Sequence, residues 1–198
     1  HGFSYDGNAF TTLDYPGAVA TFALGVSDGV IVGDYVVTVD AVDVTHGFQY
    51  DGTNYTTVDV TDSTYTSVTS ADGNTLVGRY QGNTGGLKGF SFDGSNFTTL
   101  EHPSAVHTTL TAISGDLIVG YYQEGDNAPP RGFQLSGGNY TAVEVPNGVF
   151  TLATGVFVDS EPNTAPTGLA LSNAGVAENE AAGTVVGTFS TTDADTGD

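Results

Sequence analysis

Histidine is the side chain best suited to moving protons or holding a metal near neutral pH, and this chain has four. His1 and His46 occupy the same position of an internal repeat, whereas His102 and His107 lie on either side of Pro103 without a partner that the sequence reveals. We find no glycine-rich phosphate loop and no His-Glu-X-X-His zinc motif. We therefore expect structural roles for the histidines and no catalytic residues.

Carboxylates dominate the charge of the chain. There are 23 Asp and Glu against three Lys and Arg, which gives a formal net charge of -20. Such a chain repels nucleic-acid phosphates and anionic lipid head groups, and no run approaches the ~20 apolar residues that span a bilayer. We expect no nucleic-acid partner and no direct membrane insertion. Because paired carboxylates can hydrolyse glycosidic bonds, a polysaccharide-active enzyme fragment stays open as an alternative.

An internal repeat organises these residues. The pair Gly-Phe recurs at intervals of 45, 42 and 43 residues, beginning at Gly2, Gly47, Gly89 and Gly132. In the first three copies an apolar segment ends 31 residues after that glycine, at Gly33, Gly78 and Gly120, and reads Ile-Val-Gly or Leu-Val-Gly. Constant internal spacing with linkers of variable length indicates a repeated structural unit.

Each copy predicts two β-hairpins, and in the first three copies the second hairpin contains the Ile-Val-Gly or Leu-Val-Gly segment. In the first hairpin, aromatic and polar residues alternate around a Gly-X pair, as expected for strands joined by a two-residue type II′ turn. With tips at 7-8, 52-53, 94-95 and 137-138, the register places a basic residue opposite an acid in all copies. The predicted pairs are His1 with Asp14, His46 with Asp59, Lys88 with Glu101, and Arg131 with Glu144.

Four short strands in ~42 residues is the size of a propeller blade, so residues 1-158 predict an all-β, propeller-like array of four-stranded antiparallel units. An open stack of β-sheets is the alternative. Recurring aromatic residues could pack between neighbouring sheets or form platforms for sugars. They are Tyr5, Phe10, Tyr50, Tyr55, Phe92 and Phe97. We favour packing, and a carbohydrate-binding module remains the alternative function.

Two resemblances extend this interpretation. The Gly-Phe, Tyr-Asp-Gly, Phe-Thr-Thr-Leu and Ile-Val-Gly-Tyr phrases, at 1-15, 31-35, 46-60, 76-80, 88-102 and 118-122, resemble the bacterial extracellular repeats called the HAF family. This resemblance spans about residues 1-158 and implies secretion and repetition, but no reaction. In the fourth copy the phrase is degraded, because Leu135 and Ser136 replace Tyr and Asp.

The C-terminal region resembles the opening of a bacterial cadherin-like domain. The resemblance rests on Asn163 to Leu169, Ala177 to Asn179, Gly183 to Gly187 and Asp193 to Asp198. In that family the corresponding acids bind Ca²⁺, which implies Glu178, Asp193 and Asp195 as ligands, and Asp198 adds a further carboxylate. We thus expect a linker at 159-165 and an incomplete β-sandwich segment at 166-198, since such a sandwich needs ~100 residues.

These observations together predict a secreted or cell-surface structural and adhesive module that is not an enzyme. Its expected partners are other surface proteins or like chains, with polysaccharide as an alternative partner. The acidic composition suits an extracellular setting in which salt or bound divalent cations neutralise the carboxylates.

Overall fold

The computed structural model describes residues 1–158, 167–172, 175, 178–183, 185 and 188–192. All regular elements in this part of the chain are β-strands, arranged in several antiparallel sheets, so the all-β prediction is confirmed. Among the described residues no helix offers the length and apolarity that a bilayer crossing needs. The chain divides into two compact units, His1–Val158 and Asp159–Asp198.

The first unit contains one separate hairpin, in which β1 (Gly2–Tyr5) pairs with β2 (Phe10–Leu13). Tyr5 lies opposite Phe10 and Gly2 opposite Leu13, so the predicted tip at residues 7-8 is confirmed. Gly7 has a φ of 93°, a conformation that glycine adopts at little cost.

Sheet I follows as a four-stranded antiparallel meander. Its strands, in order, are β3 (Ala20–Ser27), β4 (Val30–Val39), β5 (Val42–Tyr50) and β6 (Tyr55–Val58). The strand that carries Ile-Val-Gly, β4, pairs directly with the next Gly-Phe strand, β5. Each sheet therefore joins the second hairpin of one sequence repeat to the first hairpin of the next.

Sheets II and III repeat this plan. Sheet II contains β7 (Ser63–Asp72), β8 (Thr75–Gly82), β9 (Lys88–Phe92) and β10 (Phe97–Leu100). Sheet III contains β11 (His107–Ser114), β12 (Leu117–Gln123), β13 (Arg131–Ser136) and β14 (Asn139–Val143). A single parallel bridge, Thr45 to Tyr65, joins sheets I and II.

The outer hairpins of all three sheets have the predicted register, which confirms the tips at 52-53, 94-95 and 137-138. Gly52 and Gly94 have φ values of 91° and 92°, and in both hairpins the second tip residue has no positive φ. The fourth tip differs, because Gly137 and Gly138 have φ values of 54° and 80°. Two positive values indicate a type I′ turn, which a Gly-Gly pair adopts readily.

The glycine of each Ile-Val-Gly strand fits a tightly packed position. The strand beside it bulges by one residue in every sheet, at Leu24, Thr69 and Thr111. In sheet II a Cβ at Gly78 would collide with the carbonyl oxygen of Ser67 and would lie 2.8 Å from Cε1 of Phe90. A side chain here would separate the strands and displace the aromatic ring.

The glycine of each Gly-Phe pair leaves room for the next sheet. A Cβ at Gly89 would lie 2.8 Å from Cγ of Leu110, which belongs to β11 of sheet III. A Cβ at Gly47 would lie 2.9 Å from Cγ2 of Val68 in β7. Successive sheets therefore approach at distances that only glycine permits.

The core of the first unit consists of two apolar clusters, each built from adjacent sheets. Val32 and Val58 of sheet I pack with Val68, Leu76 and Phe90 of sheet II. The second cluster joins Val77 of sheet II to residues of sheet III, namely Leu110, Ile113, Tyr122, Phe133 and Leu135. Burying one such side chain contributes about 1.5–3 kcal/mol, so contact between sheets stabilises each of them.

In the second unit, β15 (Thr167–Leu171) pairs antiparallel with β16 (Phe189–Thr192). Leu171 lies opposite Phe189, and the register shifts between Thr167 and Ala170. The expected linker at 159-165 lies outside the described residues, as does part of the cadherin-like segment.

Candidate functional site

The histidine at the basic position of the hairpins is held by the predicted acid. Nδ1 of His1 lies 2.6 Å from Oδ1 of Asp14, and Nδ1 of His46 lies 2.6 Å from Oδ2 of Asp59. The other two predicted pairs also form, with distances of 3.1 Å for Lys88 to Glu101 and 3.7 Å for Arg131 to Glu144. All four predicted pairs are therefore confirmed as cross-strand neighbours.

His107 has partners that the sequence did not reveal, so the expectation of an unpartnered residue is wrong. Its Nδ1 accepts a hydrogen bond of 3.0 Å from the amide of Leu87, and its Nε2 lies 2.8 Å from Oδ1 of Asp126. A neutral imidazole with Nε2–H donating to the carboxylate satisfies both contacts. Both ring nitrogens are therefore engaged, which leaves neither free to act as a base.

His102 fills an aromatic position. Its ring stacks on Tyr122 with centroids 3.6 Å apart, as the ring of Tyr15 stacks on Tyr35 at 3.6 Å in the earlier repeat. Burial lowers the pKa of His102, so the neutral ring is favoured. Its Nδ1 accepts a hydrogen bond of 3.3 Å from the amide of Ser104. We conclude that His102 substitutes for a packed tyrosine.

One serine lies in a pattern known from hydrolases. Residues 25-29 read Gly-Val-Ser-Asp-Gly, which matches Gly-X-Ser-X-Gly. In α/β-hydrolases that pattern occupies a sharp turn from a strand to a helix, whereas here it occupies the tight turn between β3 and β4. The Ser27 hydroxyl contacts Oδ2 of Asp28 at 3.4 Å. The local geometry is that of a hairpin end and not of a nucleophile elbow.

The acids at the hairpin tips hold backbone amides. Oδ1 of Asp51 accepts hydrogen bonds from the amides of Thr53 at 2.8 Å and Asn54 at 2.7 Å. Asp6 and Asp93 make the equivalent contacts in their hairpins. These backbone hydrogen bonds lower the pKa of all three carboxyls. The tip acids therefore act as turn formers, as their Asp-Gly sequence suggests.

A buried polar contact joins sheets I and II. Asp34 is 7% exposed, and its Oδ2 accepts a hydrogen bond of 2.6 Å from the hydroxyl of Ser67, which is fully buried. Burial raises the pKa of Asp34, against the opposing effects of the Ser67 hydrogen bond and the positive charge of Arg79. Arg79 in turn donates from Nε to the hydroxyl of Tyr65 at 3.3 Å.

Sequence reasoning missed this contact, although two signals pointed to it. Arg79 is the one basic residue among three that has no place in the hairpin pairs. In addition, Asp34, Arg79 and Tyr121 follow the glycine of successive Ile-Val-Gly segments, so their types vary where the repeat is otherwise regular.

The predicted metal ligands fall largely outside the described residues. Asp193, Asp195 and Asp198 belong to the undescribed part, and Glu178 is exposed in a turn. Within the described residues no cluster of three or more acids or histidines has the geometry of a metal site. The fit of the carboxylates to Ca²⁺ therefore remains a prediction of the resemblance.

The recurring aromatic residues form cross-strand ring pairs. Ring centroids are 4.5 Å apart for Tyr5 and Phe10, and 4.4 Å apart for Phe92 and Phe97. Phe92 and Phe97 pack against the first apolar cluster, which agrees with the predicted role in packing. Tyr5 and Phe10 are instead 54% and 72% exposed.

Of these two exposed rings, Tyr5 borders an open groove between β1 and β3, with a volume of about 350 Å³. Phe3 lies on one wall, and Leu24, Val26 and Ile31 lie on the other, so the lining is mostly apolar and carries no charged side chain. Phe3 is 62% exposed, whereas Phe48, Phe90 and Phe133 at the same repeat position are fully buried. At this groove the packing seen in the other repeats is therefore incomplete.

No protein-family model matches the sequence, and comparison with curated proteins and solved structures gave no match.

Proposed function

We propose that this chain is a secreted or cell-surface structural and adhesive repeat module without enzymatic activity, which assembles with like repeats or other surface proteins. The observation that carries the proposal is that the repeated residues pack successive sheets against each other. Gly47 and Gly89 let the next sheet approach, and the buried phenylalanines fill the space between sheets. The repeat is thus explained by packing between sheets.

Hydrogen bonds between sheets support the same function. The Thr69 hydroxyl lies 2.8 Å from the carbonyl oxygen of Leu110, and the equivalent Thr111 hydroxyl lies 2.5 Å from that of Ala153. Through the second contact, Ala153 lies beside sheet III as Leu110 lies beside sheet II. A series of sheets joined in this way can be extended by repetition, as in other repeat proteins.

We propose a propeller-like arrangement for these sheets, with an open stack as the alternative. Short four-stranded meanders of ~42 residues support the propeller, because radial packing protects their edges. A crystal structure of the chain would separate the two. Four to eight blades require a rotation of about 45–90° between successive sheets, whereas stacked sheets stay within about 30° of each other.

The carbohydrate-binding alternative has one observation in its favour, the exposed stacked pair Tyr5 and Phe10. We expect that polysaccharides in a gel do not retard the chain. We also expect that the chain does not hydrolyse these polysaccharides, so no reducing ends are released. Beads coated with the chain should nevertheless aggregate, unlike beads coated with an unrelated protein of equal charge. Retardation that Phe10→Ala abolishes, and that Phe157→Ala leaves intact, would instead establish a carbohydrate site. Phe157 is a suitable control because it is 85% exposed.

The extracellular location and the calcium dependence belong to the same proposal. They are supported by the net charge of -20 and by Glu178, Asp193, Asp195 and Asp198, which lie in a segment without basic residues. If calcium binds there, it supplies positive charge to oxygen ligands and organises the segment.

A further inference from the structure

β1 has a free edge beside an apolar groove. Among the described strands, β1 pairs with β2 alone, whereas the equivalent strands β5, β9 and β13 each pair on both sides. Their second partner is always the strand that carries Ile-Val-Gly or Leu-Val-Gly, namely β4, β8 or β12. An unpaired strand edge is a template for the addition of another strand.

The equivalent position in sheet II shows which strand fits. Gly78 of β8 lies opposite Phe90, and Val77 packs on Leu110 and Ile113 of the following sheet. At the groove, Phe3 corresponds to Phe90. Ala23 and Val26 of β3 correspond to Leu110 and Ile113, because both pairs have the same place relative to the bulge.

Exposure supports the same match. Val26 is 71% exposed, while Ala71 and Ile113 at its repeat position are 7% and 9% exposed. The same contrast holds for Phe3 and the three buried phenylalanines. In sheets II and III the preceding sheet thus covers these positions. At the groove the equivalent positions are uncovered.

We propose that this groove is an acceptor site for the Ile-Val-Gly hairpin of another repeat. The incoming strand pairs antiparallel with the free edge of β1, with its glycine opposite Phe3 and the residue before that glycine packed on Ala23 and Val26. The first strand of the incoming hairpin covers the exposed side chains of β3. The uncharged lining suits such a strand in a chain that is otherwise strongly acidic.

A synthetic hairpin peptide tests the proposal. The probe is a fluorescently labelled peptide of residues 63–82, which spans β7 and β8, and its binding to the 198-residue chain is measured by anisotropy. We expect saturable binding with one peptide per chain. Val26→Asp should weaken binding at least tenfold, because docking would bury a charge. Val39→Asp is the matched control and should leave binding unchanged, since Val39 is a strand valine, 54% exposed, that does not line the groove.

A second peptide tests the register. A probe with Gly78→Val should bind at least ten times more weakly, since a side chain at that position would collide with Phe3. Equal binding of both peptides, or equal binding to the wild-type and Val26→Asp chains, would overturn the proposal. Self-association of the chain could also overturn the proposal. If Val26→Asp abolishes the self-association but the peptide does not displace it, a different segment of a second copy occupies the groove.

This inference rests on the proposed structural function, and the two can fail separately. Binding of polysaccharide with intact peptide binding would count against the structural function. If the chain binds neither polysaccharide nor the peptide, the result would count against the acceptor site alone.

Discussion

Some single side chains in this fold connect one sheet to the next. Asp34 shows this most clearly, because its carboxylate lies in sheet I and its hydrogen-bond donor, Ser67, lies in sheet II. The contact orients the two sheets, but it requires a carboxylate in a buried position. Taking a charge out of water costs free energy unless its partners compensate.

Replacing Asp34 by Asn should therefore stabilise the chain at pH 7. Burial raises the pKa of Asp34, so folding favours the protonated acid, and stability is lost as the pH rises through the folded-state pKa. Asn keeps an acceptor for Ser67 without the charge. Urea unfolding should give a higher midpoint for Asp34→Asn than for wild type at pH 7, and similar midpoints at pH 3.

The matched control is Asp116→Asn, which removes an exposed carboxylate at a hairpin tip. It accounts for the general relief of repulsion in a chain of net charge -20. An equal gain in both variants at pH 7 would show that burial of Asp34 carries no specific cost.

The register of the outer hairpins was predictable, because it depends on residues close in sequence. Alternating aromatics and a glycine at the tip fix which residues face each other, and His46 and Asp59 follow from that rule. The contact of Asp34 with Ser67 was not predictable, because it depends on how β4 packs on β7. The same limit explains the missed partners of His107, since Asp126 lies in a loop whose path no local rule sets.

At the level of the strand, glycine decides how closely the elements approach. Gly78→Ala should destabilise the chain by about 2 kcal/mol or more, because its Cβ would meet a backbone carbonyl and the ring of Phe90. Gly82→Ala is the control in the same strand, where the nearest heavy atom would lie 4.0 Å away. Chemical denaturation of both variants measures the difference, and equal stability would refute the steric argument.

At the scale of the whole molecule, the two units differ in how their acids are compensated. In the first unit, acids such as Glu101 pair with basic residues, and the tip acids accept backbone hydrogen bonds. In the second unit, residues 159-198 contain no lysine, arginine or histidine. Carboxylates without cationic partners repel one another, and a divalent cation would offset that repulsion.

We therefore predict that Ca²⁺ stabilises the second unit and leaves the first unchanged. All ten tyrosines lie between residues 5 and 140, so tyrosine fluorescence reports on the first unit alone. Its thermal transition should be the same in Ca²⁺ and in chelator. Calorimetric titration of the whole chain should show Ca²⁺ binding. The double variant Asp193→Asn with Asp195→Asn should lose this binding, and the control double variant Asp28→Asn with Asp116→Asn should retain it. At a free Ca²⁺ concentration one hundred times the dissociation constant, binding adds about 2.7 kcal/mol to the stability of the second unit. A tyrosine transition that falls in chelator would place the ion in the first unit, and titration without heat would contradict the cadherin-like assignment of the ligands.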